Sequence, residues 1–161
     1  MPNEVLLRDV MVEDLPIFFD QQLDPEANHM AAFIGRNPAD REAFMAHWAK
    51  VLANDDNIKQ TILFDGQVAG YIGGFEQEGE REVGYWIGKE YWGKGIATRA
   101  LAAFLSIEQT RPLYGYVAKD NVGSRRVLEK CGFTLHREAK EYANARGEEV
   151  EQFILVLGAE S

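Results

Sequence analysis

Short apolar runs separated by turn residues dominate the pattern of hydrophobic and polar positions. Seven of these runs are rich in β-branched and aromatic residues and are too short for helices, so they predict strands. The predicted strands span residues 5–8, 58–64, 68–75, 83–87, 113–117, 133–137 and 151–157. In other segments apolar residues recur every three or four positions, or good helix formers dominate, which predicts helices. The predicted helices span residues 15–23, 40–52, 98–105 and 123–130.

The segments between these elements indicate how they are connected. Asp65-Gly66 is a strong hairpin signal and residues 76–81 form a polar turn, so the three strands from 58 to 87 are predicted to form an antiparallel meander. A helix links strand 83–87 to strand 113–117, which makes that pair parallel. Residues 24–38, with two prolines, are predicted as a connector. The expected fold class is α/β (α+β): a mixed sheet of about six to seven strands with helices on both faces, in one domain over residues 1–161.

Residues 82–105 combine a strand, a glycine-rich turn and a helix. Gly93 and Gly95, in the turn W-G-K-G-I-A at 92–97, lack a Cβ, so the backbone there can take positive φ and approach a ligand closely. The first amides of the following helix have no partner within it and, with the helix dipole, favour an anion. The segment predicts a phosphate or pyrophosphate site. A loop that needs its glycines only to turn is the alternative.

Two motifs in this chain resemble those of the GNAT acyltransferase superfamily. The turn and its helix resemble motif A, with the loop pattern Q/R-x-x-G-x-G/A: Gly95 and Ala97 fit it, and Trp92 stands where Gln or Arg is usual. The run N-V-G-S at 121–124, followed by E-K-C-G-F at 129–133, resembles motif B. The resemblance covers the whole chain and is loosest in the first ~60 residues. It is strongest to the branch that includes ribosomal-protein N-terminal acetyltransferases.

The resemblance implies a cofactor and a set of residues that bind it. In GNAT folds the two parallel central strands splay apart, and the pantetheine arm of acetyl-CoA enters between them. Trp86 and Ile87 are therefore expected to pair with that arm, and the Ile87 amide to polarise the thioester carbonyl. The pyrophosphate is expected on the amides of residues 93–98, where Lys94 either adds positive charge or points to water. The expected cofactor-binding residues are Trp86, Ile87, Trp92, Gly93, Lys94, Gly95, Ile96, Ala97, Thr98, Asn121 and Ser124.

Amide formation from a thioester needs a base that removes a proton from the attacking amine. Glu82 is the candidate, because it lies at the start of the central strand, where several GNAT branches carry a glutamate that acts as base, often through water. The alternative is a solvated carboxylate at the strand edge beside Glu80 and Arg81.

The leaving thiolate needs a proton, and many GNAT enzymes supply it from a tyrosine seven residues after the motif B asparagine. This chain has Leu128 at that position. The branch it most resembles uses the motif B serine, which makes Ser124 the expected acid. Tyr114, Tyr116 or water are the alternatives, and so is a mechanism that needs no acid. Ser124 is also a common residue type for the first turn of a helix. Asn121 is expected both to cap that helix and to contact the cofactor.

Composition and charge narrow the possible partners. The net charge of −9 argues against a nucleic-acid surface. It is compatible with steering of a cationic amine, although a charge that serves solubility is the simpler explanation. A single cysteine fits a reducing compartment, and with no visible signal peptide or membrane span the expected location is the cytoplasm. Three scattered histidines and one cysteine give no metal constellation, and Cys131 is predicted to be a buried, inert thiol.

The predicted function is transfer of an acetyl group from acetyl-CoA to a primary amine by direct attack. The acceptor is expected to be a protein N-terminus or a small-molecule amine. A non-catalytic acyl-CoA-binding module is the alternative, motivated by the missing tyrosine. Homodimers are common in the resembling family, so a homodimer is possible here.

Overall fold

A seven-stranded mixed sheet in the order β1-β2-β3-β4-β5-β7-β6 forms the centre of the computed structural model, which describes residues 4–31 and 39–158. The strands are β1 Val5–Asp9, β2 Ile58–Phe64, β3 Gln67–Gln77, β4 Glu80–Ile87, β5 Leu113–Ala118, β6 Thr134–Ala143 and β7 Glu148–Leu157. The helices are α1 Leu15–Gln22, α2 Pro25–Ala31, α3 Arg41–Ala53, α4 Ile96–Phe104 and α5 Val122–Lys130. The predicted fold class and strand number are confirmed.

Strands β2, β3 and β4 form the predicted antiparallel meander. Asp65 and Gly66, both at positive φ, close the first hairpin, as the sequence indicated. The second turn is tighter than predicted: β3 continues to Gln77 and β4 begins at Glu80, so residues 76–81 belong mostly to strands. These polar residues are in strands because Glu76 pairs with Arg81, so the pairing of β3 with β4 continues beyond the apolar residues.

Strands β4 and β5 are parallel, and they separate after a short paired segment. Three pairs are in register, the last of them Val83 with Gly115. Beyond that point β4 runs on through residues 84–87 and β5 through residues 116–118, with no mutual register pairs. The predicted splay is therefore present, and it leaves a gap at the carboxyl ends of the two strands.

Apolar side chains cover both faces of the sheet, as predicted. On one face α4 and α5 pack through Leu101, Phe104 and Leu128. On the other face α1 and α3 contribute an aromatic cluster that includes Phe18 and Trp48, whose rings lie 5.3 Å apart. Phe18 is fully buried, so its role is core packing.

One part of the predicted connector is a helix. Pro25 begins α2, and the Asp24 carboxylate accepts a hydrogen bond from the Ala27 N–H at 2.8 Å. Asp followed by Pro and Glu is a typical helix start, so the prediction of a connector is wrong for residues 25–31. His29 consequently lies on a helix, with its side chain exposed. The rest of the predicted connector, residues 32–38, lies outside the described residues.

An ion pair is buried beside the parallel strands. Arg81 on β4 donates to the Glu108 carboxylate at 2.7 Å, and the two residues are 8% and 1% exposed. Glu108 also explains Gly74 on β3, because a Cβ at Gly74 would collide with its carboxylate.

Candidate functional site

A cavity of about 550 Å³ opens where β4 and β5 separate. Its walls are the end of β4, the turn at 92–98, the start of α5 and part of α2. Ten of the eleven residues predicted from the GNAT resemblance to bind the cofactor line it: Trp86, Ile87, Trp92, Gly93, Gly95, Ile96, Ala97, Thr98, Asn121 and Ser124. Lys94 does not line it and is exposed, which matches the alternative that this side chain points to water.

The turn has the backbone that its glycines predict. Gly93 and Gly95 have φ of 77° and 73°, and Gly95 is the N-cap of α4 without a side-chain cap. The first amides of α4 therefore have no side-chain acceptor, while Ile96, Ala97 and Thr98 line the cavity. The arrangement provides free N–H groups and the positive end of a helix dipole at one end of the cavity.

Trp92 explains the departure from the motif A pattern. Its indole Nε1 donates to the Ile87 carbonyl at 2.9 Å and so ties the turn to the end of β4. A tryptophan at this position thus fixes the position of the turn relative to the strand.

The end of β4 directs backbone groups into the gap. The Gly88 N–H donates to the Ala69 carbonyl at 2.8 Å, which turns Gly88 toward β3. Hydrogen-bonded and non-bonded pairs alternate along antiparallel strands, so the N–H groups of Tyr85 and Ile87 point the other way, toward β5. No residue of β5 is in register with either of them. The Ile87 amide therefore faces the gap, as the predicted carbonyl contact requires.

A pair of hydroxyl groups lies inside the cavity. The Tyr85 hydroxyl donates to Ser124 Oγ at 3.0 Å, and both residues line the cavity. Burial raises the pKa of Tyr85 to about 12, so this hydroxyl stays protonated. Because Ser124 Oγ accepts this bond, its own proton remains available to another acceptor. Tyr85 could not be predicted from the sequence, since nothing local connects it to a serine 39 positions away.

The other candidates for the proton donor lie outside the cavity. Leu128, at the position where many GNAT enzymes carry the acid tyrosine, is buried and packs on Gly115. Tyr114 and Tyr116 do not line the cavity, and the Tyr116 hydroxyl donates to Glu80 at 2.7 Å. Burial and then this hydrogen bond raise the pKa of Tyr116 to about 12. Among the hydroxyls considered from sequence, Ser124 is the one that the structure places in the cavity.

Asn121 caps α5 and also lies in the cavity wall. Its Oδ1 accepts the Ser124 N–H at 3.3 Å, and its Nδ2 donates to the Met30 carbonyl at 3.3 Å. The predicted cap at the start of α5 is confirmed. The second bond joins α5 to α2 across the cavity, which the sequence did not indicate.

Glu82 is buried, so the alternative of a solvated strand-edge carboxylate is wrong. It is the third residue of β4, is 8% exposed and pairs with Phe75 on β3 and Tyr114 on β5. Burial, followed by the negative charges of Glu80, Glu141 and Glu78, raises its pKa to about 7. It does not line the cavity itself, but strand alternation puts it on the same face of β4 as Trp86, which does.

The pKa of Glu80 is shifted in the opposite direction from that of Glu82. Burial acts to raise its pKa, but hydrogen bonds from Tyr116 and Arg137 outweigh that effect and the pKa is lowered. Two carboxylates on the same face of one strand therefore have pKa values pushed apart. Such pairs are characteristic of acid–base sites.

The remaining candidate groups have no arrangement that suggests chemistry. Cys131 is partly buried, burial raises its pKa, and its Sγ contacts the Thr98 carbonyl at 3.6 Å. Among the described residues no three His, Cys, Asp or Glu side chains are grouped to hold a metal ion. Over the same residues, no helix is long and apolar enough to cross a membrane.

Comparison with protein-family models identifies the architecture. The acetyltransferase (GNAT) domain model matches residues 4–134. The chain belongs to the GNAT acetyltransferase family. It is 31% identical over 138 residues to the protein named "Putative ribosomal N-acetyltransferase YdaF" of Bacillus subtilis (strain 168), covering 77% of this chain and 75% of that protein. The chain is thus a GNAT N-acetyltransferase, and its predicted resemblance to ribosomal-protein acetyltransferases is confirmed.

Solved structures confirm the GNAT fold. Mycobacterium smegmatis RimJ in complex with CoA-disulfide superposes with a TM-score of 0.78 at 23% identity, covering 96% of this chain and 82% of that chain. The microcin C7 self-immunity acetyltransferase MccE, in complex with acetyl-CoA and AMP, has a TM-score of 0.76 at 18% identity and covers 97% of this chain and 93% of that chain.

Proposed function

We propose that this GNAT protein transfers an acetyl group from acetyl-CoA directly to a primary amine. The observation that carries the proposal is the cavity at the β4–β5 splay. It combines a glycine turn with uncapped helix amides, the inward Ile87 N–H and the Tyr85–Ser124 pair, with Glu82 further along the same strand. The RimJ structure in complex with CoA-disulfide and the MccE structure in complex with acetyl-CoA and AMP support this choice of cofactor.

Acetyl-CoA would follow the gap between the strands. Its pyrophosphate lies on the amides of residues 93–98, and its pantetheine arm pairs with the backbone of Tyr85 and Ile87 on the side that β5 leaves free. Trp86, which was expected to pair with the arm, directs its backbone N–H toward β3, because it alternates with Ile87 and pairs with Tyr71. This brings the thioester to the end of β4, where the Ile87 N–H donates to the carbonyl oxygen. The negative charge that develops on that oxygen during attack strengthens this hydrogen bond.

The reaction proceeds without a covalent enzyme intermediate. Glu82 removes one proton from the acceptor ammonium, directly or through water, and the neutral nitrogen attacks the thioester carbon. A nitrogen–carbon bond forms, the carbon–sulfur bond breaks, and the nitrogen loses its second proton to solvent. The thiolate takes a proton from Ser124 Oγ, which recovers one from solvent. The products are an N-acetyl amine, the CoA thiol and one released proton.

The acceptor is a primary amine, either a protein N-terminus or a small molecule. The name of the ribosomal relative from Bacillus subtilis favours a protein acceptor. Local charge supports a cation, because Glu78, Glu80 and Glu141 all act on Glu82. Attraction of the ammonium by these carboxylates would raise its concentration near the base.

Ser124→Ala is expected to lower kcat about 10- to 100-fold while the Kd for acetyl-CoA changes little. Tyr85→Phe should lower kcat less, because it removes the group that orients Ser124 and leaves the donor in place. The check is a set of acyl donors whose leaving thiols differ in pKa. An acetyl thioester of a more acidic thiol needs less protonation, so the defect in Ser124→Ala should shrink with it. An undiminished defect would remove Ser124 from the acid role.

Gly95→Ala is expected to weaken acetyl-CoA binding about 10-fold or more. A residue with a Cβ pays about 1–2 kcal/mol at the φ of 73° found here, and relieving that strain moves the amides of α4. Gly79→Ala is the matched control, because Gly79 has φ of 82° and open space around it in the β3–β4 turn. Calorimetric titration of both variants should show normal acetyl-CoA affinity in the control. Equal affinities in both variants would contradict the assignment of the turn.

Free-thiol release from acetyl-CoA tests the proposed function. The wild-type protein is assayed against N-terminal peptides, polyamines, aminoglycosides and amino acids, with the acetylated product identified by mass spectrometry. Turnover with one amine class is the expected result. Bound acetyl-CoA with no turnover across the whole panel would support the alternative of a binding module.

A further inference from the structure

A half-buried lysine lies on the Glu82 face of the sheet without an acidic partner among the described residues. Lys59 on β2 stacks its ammonium on three aromatic rings, at 5.9 Å from the centroid of Trp48, 6.0 Å from Tyr71 and 5.2 Å from Phe75. The structure describes no carboxylate that pairs with it. Burial and the positive charge of Arg81 lower its pKa to about 8.

The lysine reaches toward β4 because of a glycine. Lys59 pairs with Gly73 across β2 and β3, and its Nζ lies 2.8 Å from the point where a Cβ on Gly73 would stand. The side chain thus lies flat on β3, and its ammonium is one strand spacing, ~4.8 Å, from the backbone of β4. Any side chain at Gly73 would obstruct it.

The next position across the sheet is also a glycine. Gly84 on β4 pairs with Gly73, and a Cβ there would meet only Phe75, at 3.6 Å, among the described atoms. Gly73 and Gly84 therefore form an open floor, which we call the glycine trough. Cross-strand pairing places Tyr71 and Trp86 along one side of it.

The other side of the glycine trough carries the proposed base. Phe75 pairs with Glu82 in the adjacent row of the sheet. An acceptor amine that reaches Glu82 therefore lies at the β4 end of the trough, and the Lys59 ammonium lies toward the other end. The Glu82 end favours a positive charge and the Lys59 end favours a negative charge. The distance between the two ends corresponds to a few bonds in a small molecule.

We infer that the acceptor of this enzyme carries a carboxylate within a few bonds of its amine, and that Lys59 binds that carboxylate. This inference rests on the proposed function and adds the acceptor class to it. An unpaired ammonium held on aromatic rings gains a charge-assisted hydrogen bond when a carboxylate arrives. A free amino acid and a peptide with an acidic second residue both present this chemistry.

Matched acceptors distinguish these sources and test the inference. The first pair is an amino acid and its amide, and the second is a peptide with Asp or Glu at position two and its Asn or Gln counterpart. The wild-type enzyme should prefer the acid of at least one pair by about 10- to 100-fold in kcat/KM, the value of one charge-assisted hydrogen bond. The pair that shows the preference names the source.

Lys59→Met tests whether the lysine provides this preference. Methionine keeps a flexible apolar chain on the aromatic rings, so the fold should survive, which a thermal melt checks. The variant should lose the acid preference through KM, with little change for the amide, and Lys59→Arg should restore part of it. Lys50→Met removes an exposed lysine from α3 and should leave the preference intact.

A binding measurement makes the inference independent of turnover. Tryptophan fluorescence, which senses Trp48 beside the ammonium, is titrated with the N-acetylated acid and its amide. If the acid binds more tightly than the amide to wild type and this difference is lost in Lys59→Met, the inference is supported. This holds even if no acceptor is turned over, and in that case only the proposed function fails. Equal binding of acid and amide, equal loss for both in the variant, or acetylation of Lys59 itself would overturn it.

Discussion

Glu82→Gln is expected to lower kcat/KM for acetyl transfer by about 10²- to 10⁴-fold, the usual contribution of a general base. Glutamine has nearly the same shape, so the β4 strand and the cavity beside it stay intact. The loss should fall on kcat and leave the Kd for acetyl-CoA unchanged. A variant within about twofold of wild type would show that the amine reaches the thioester already deprotonated.

The pH profile carries the same prediction with a defined sign. Glu82 acts as a base only when it is deprotonated, and its pKa is raised to about 7. Activity of the wild type should therefore fall as the pH drops through about 7, and Glu82→Gln should lack that limb. Glu80→Gln is the matched control. It removes a negative charge that raises the pKa of Glu82, so the limb should move to lower pH while activity is retained.

Glu82→Gln should also stabilise the fold at alkaline pH. A carboxyl whose pKa is raised from 4.5 to about 7 on folding favours the folded state when protonated, and that advantage is lost as the pH rises through 7. Removing the charge should therefore increase the free energy of unfolding at pH 8 by roughly 1–3 kcal/mol. Urea titrations at pH 5 and pH 8 measure the difference between the two proteins.

Glu108→Ala is expected to destabilise the protein by about 3–5 kcal/mol, the cost of breaking a buried ion pair. The substitution leaves the Arg81 guanidinium, 8% exposed, without its 2.7 Å carboxylate partner. The loss should be large in urea unfolding at 25 °C. Because Arg81 is in register with Leu113, the damage falls where β4 and β5 are still paired.

An exposed ion pair provides the control for this prediction. Arg125 and Glu129 are four residues apart on α5 with a 3.0 Å contact, and both side chains are accessible to solvent. Glu129→Ala should cost less than about 0.5 kcal/mol. A loss below about 1 kcal/mol in Glu108→Ala would mean that water or a shifted side chain satisfies Arg81.

Local sequence signals predicted most of the fold. They failed where long-range contacts determine how far a strand extends. The Asp65-Gly66 hairpin, the glycine turn before α4 and the Asn121 cap each depend on a few adjacent residues, and each is confirmed. The extent of β6 and β7 was underestimated. Their polar ends are extended only because each strand pairs with the other.

The candidate site shows the same division. The motif residues that line the cavity could be listed from sequence, because the family resemblance rests on those residues. The burial of Glu82, the bond between Tyr85 and Ser124 and the position of Lys59 over Gly73 depend on strand register. No sequence pattern in this chain encodes that register, so these features emerge only from the structure. The homodimer and the cytoplasmic location stay predictions.

The kinetic order of the reaction tests the central claim most directly. With an accepted amine in hand, initial rates are measured while acetyl-CoA and the amine are varied together. Direct transfer requires both to be bound at once, so double-reciprocal plots should give intersecting lines, and incubation with acetyl-CoA alone should leave the protein unmodified. Parallel lines with an acetyl group on Cys131 would contradict the account, because they would show a covalent intermediate in place of direct attack.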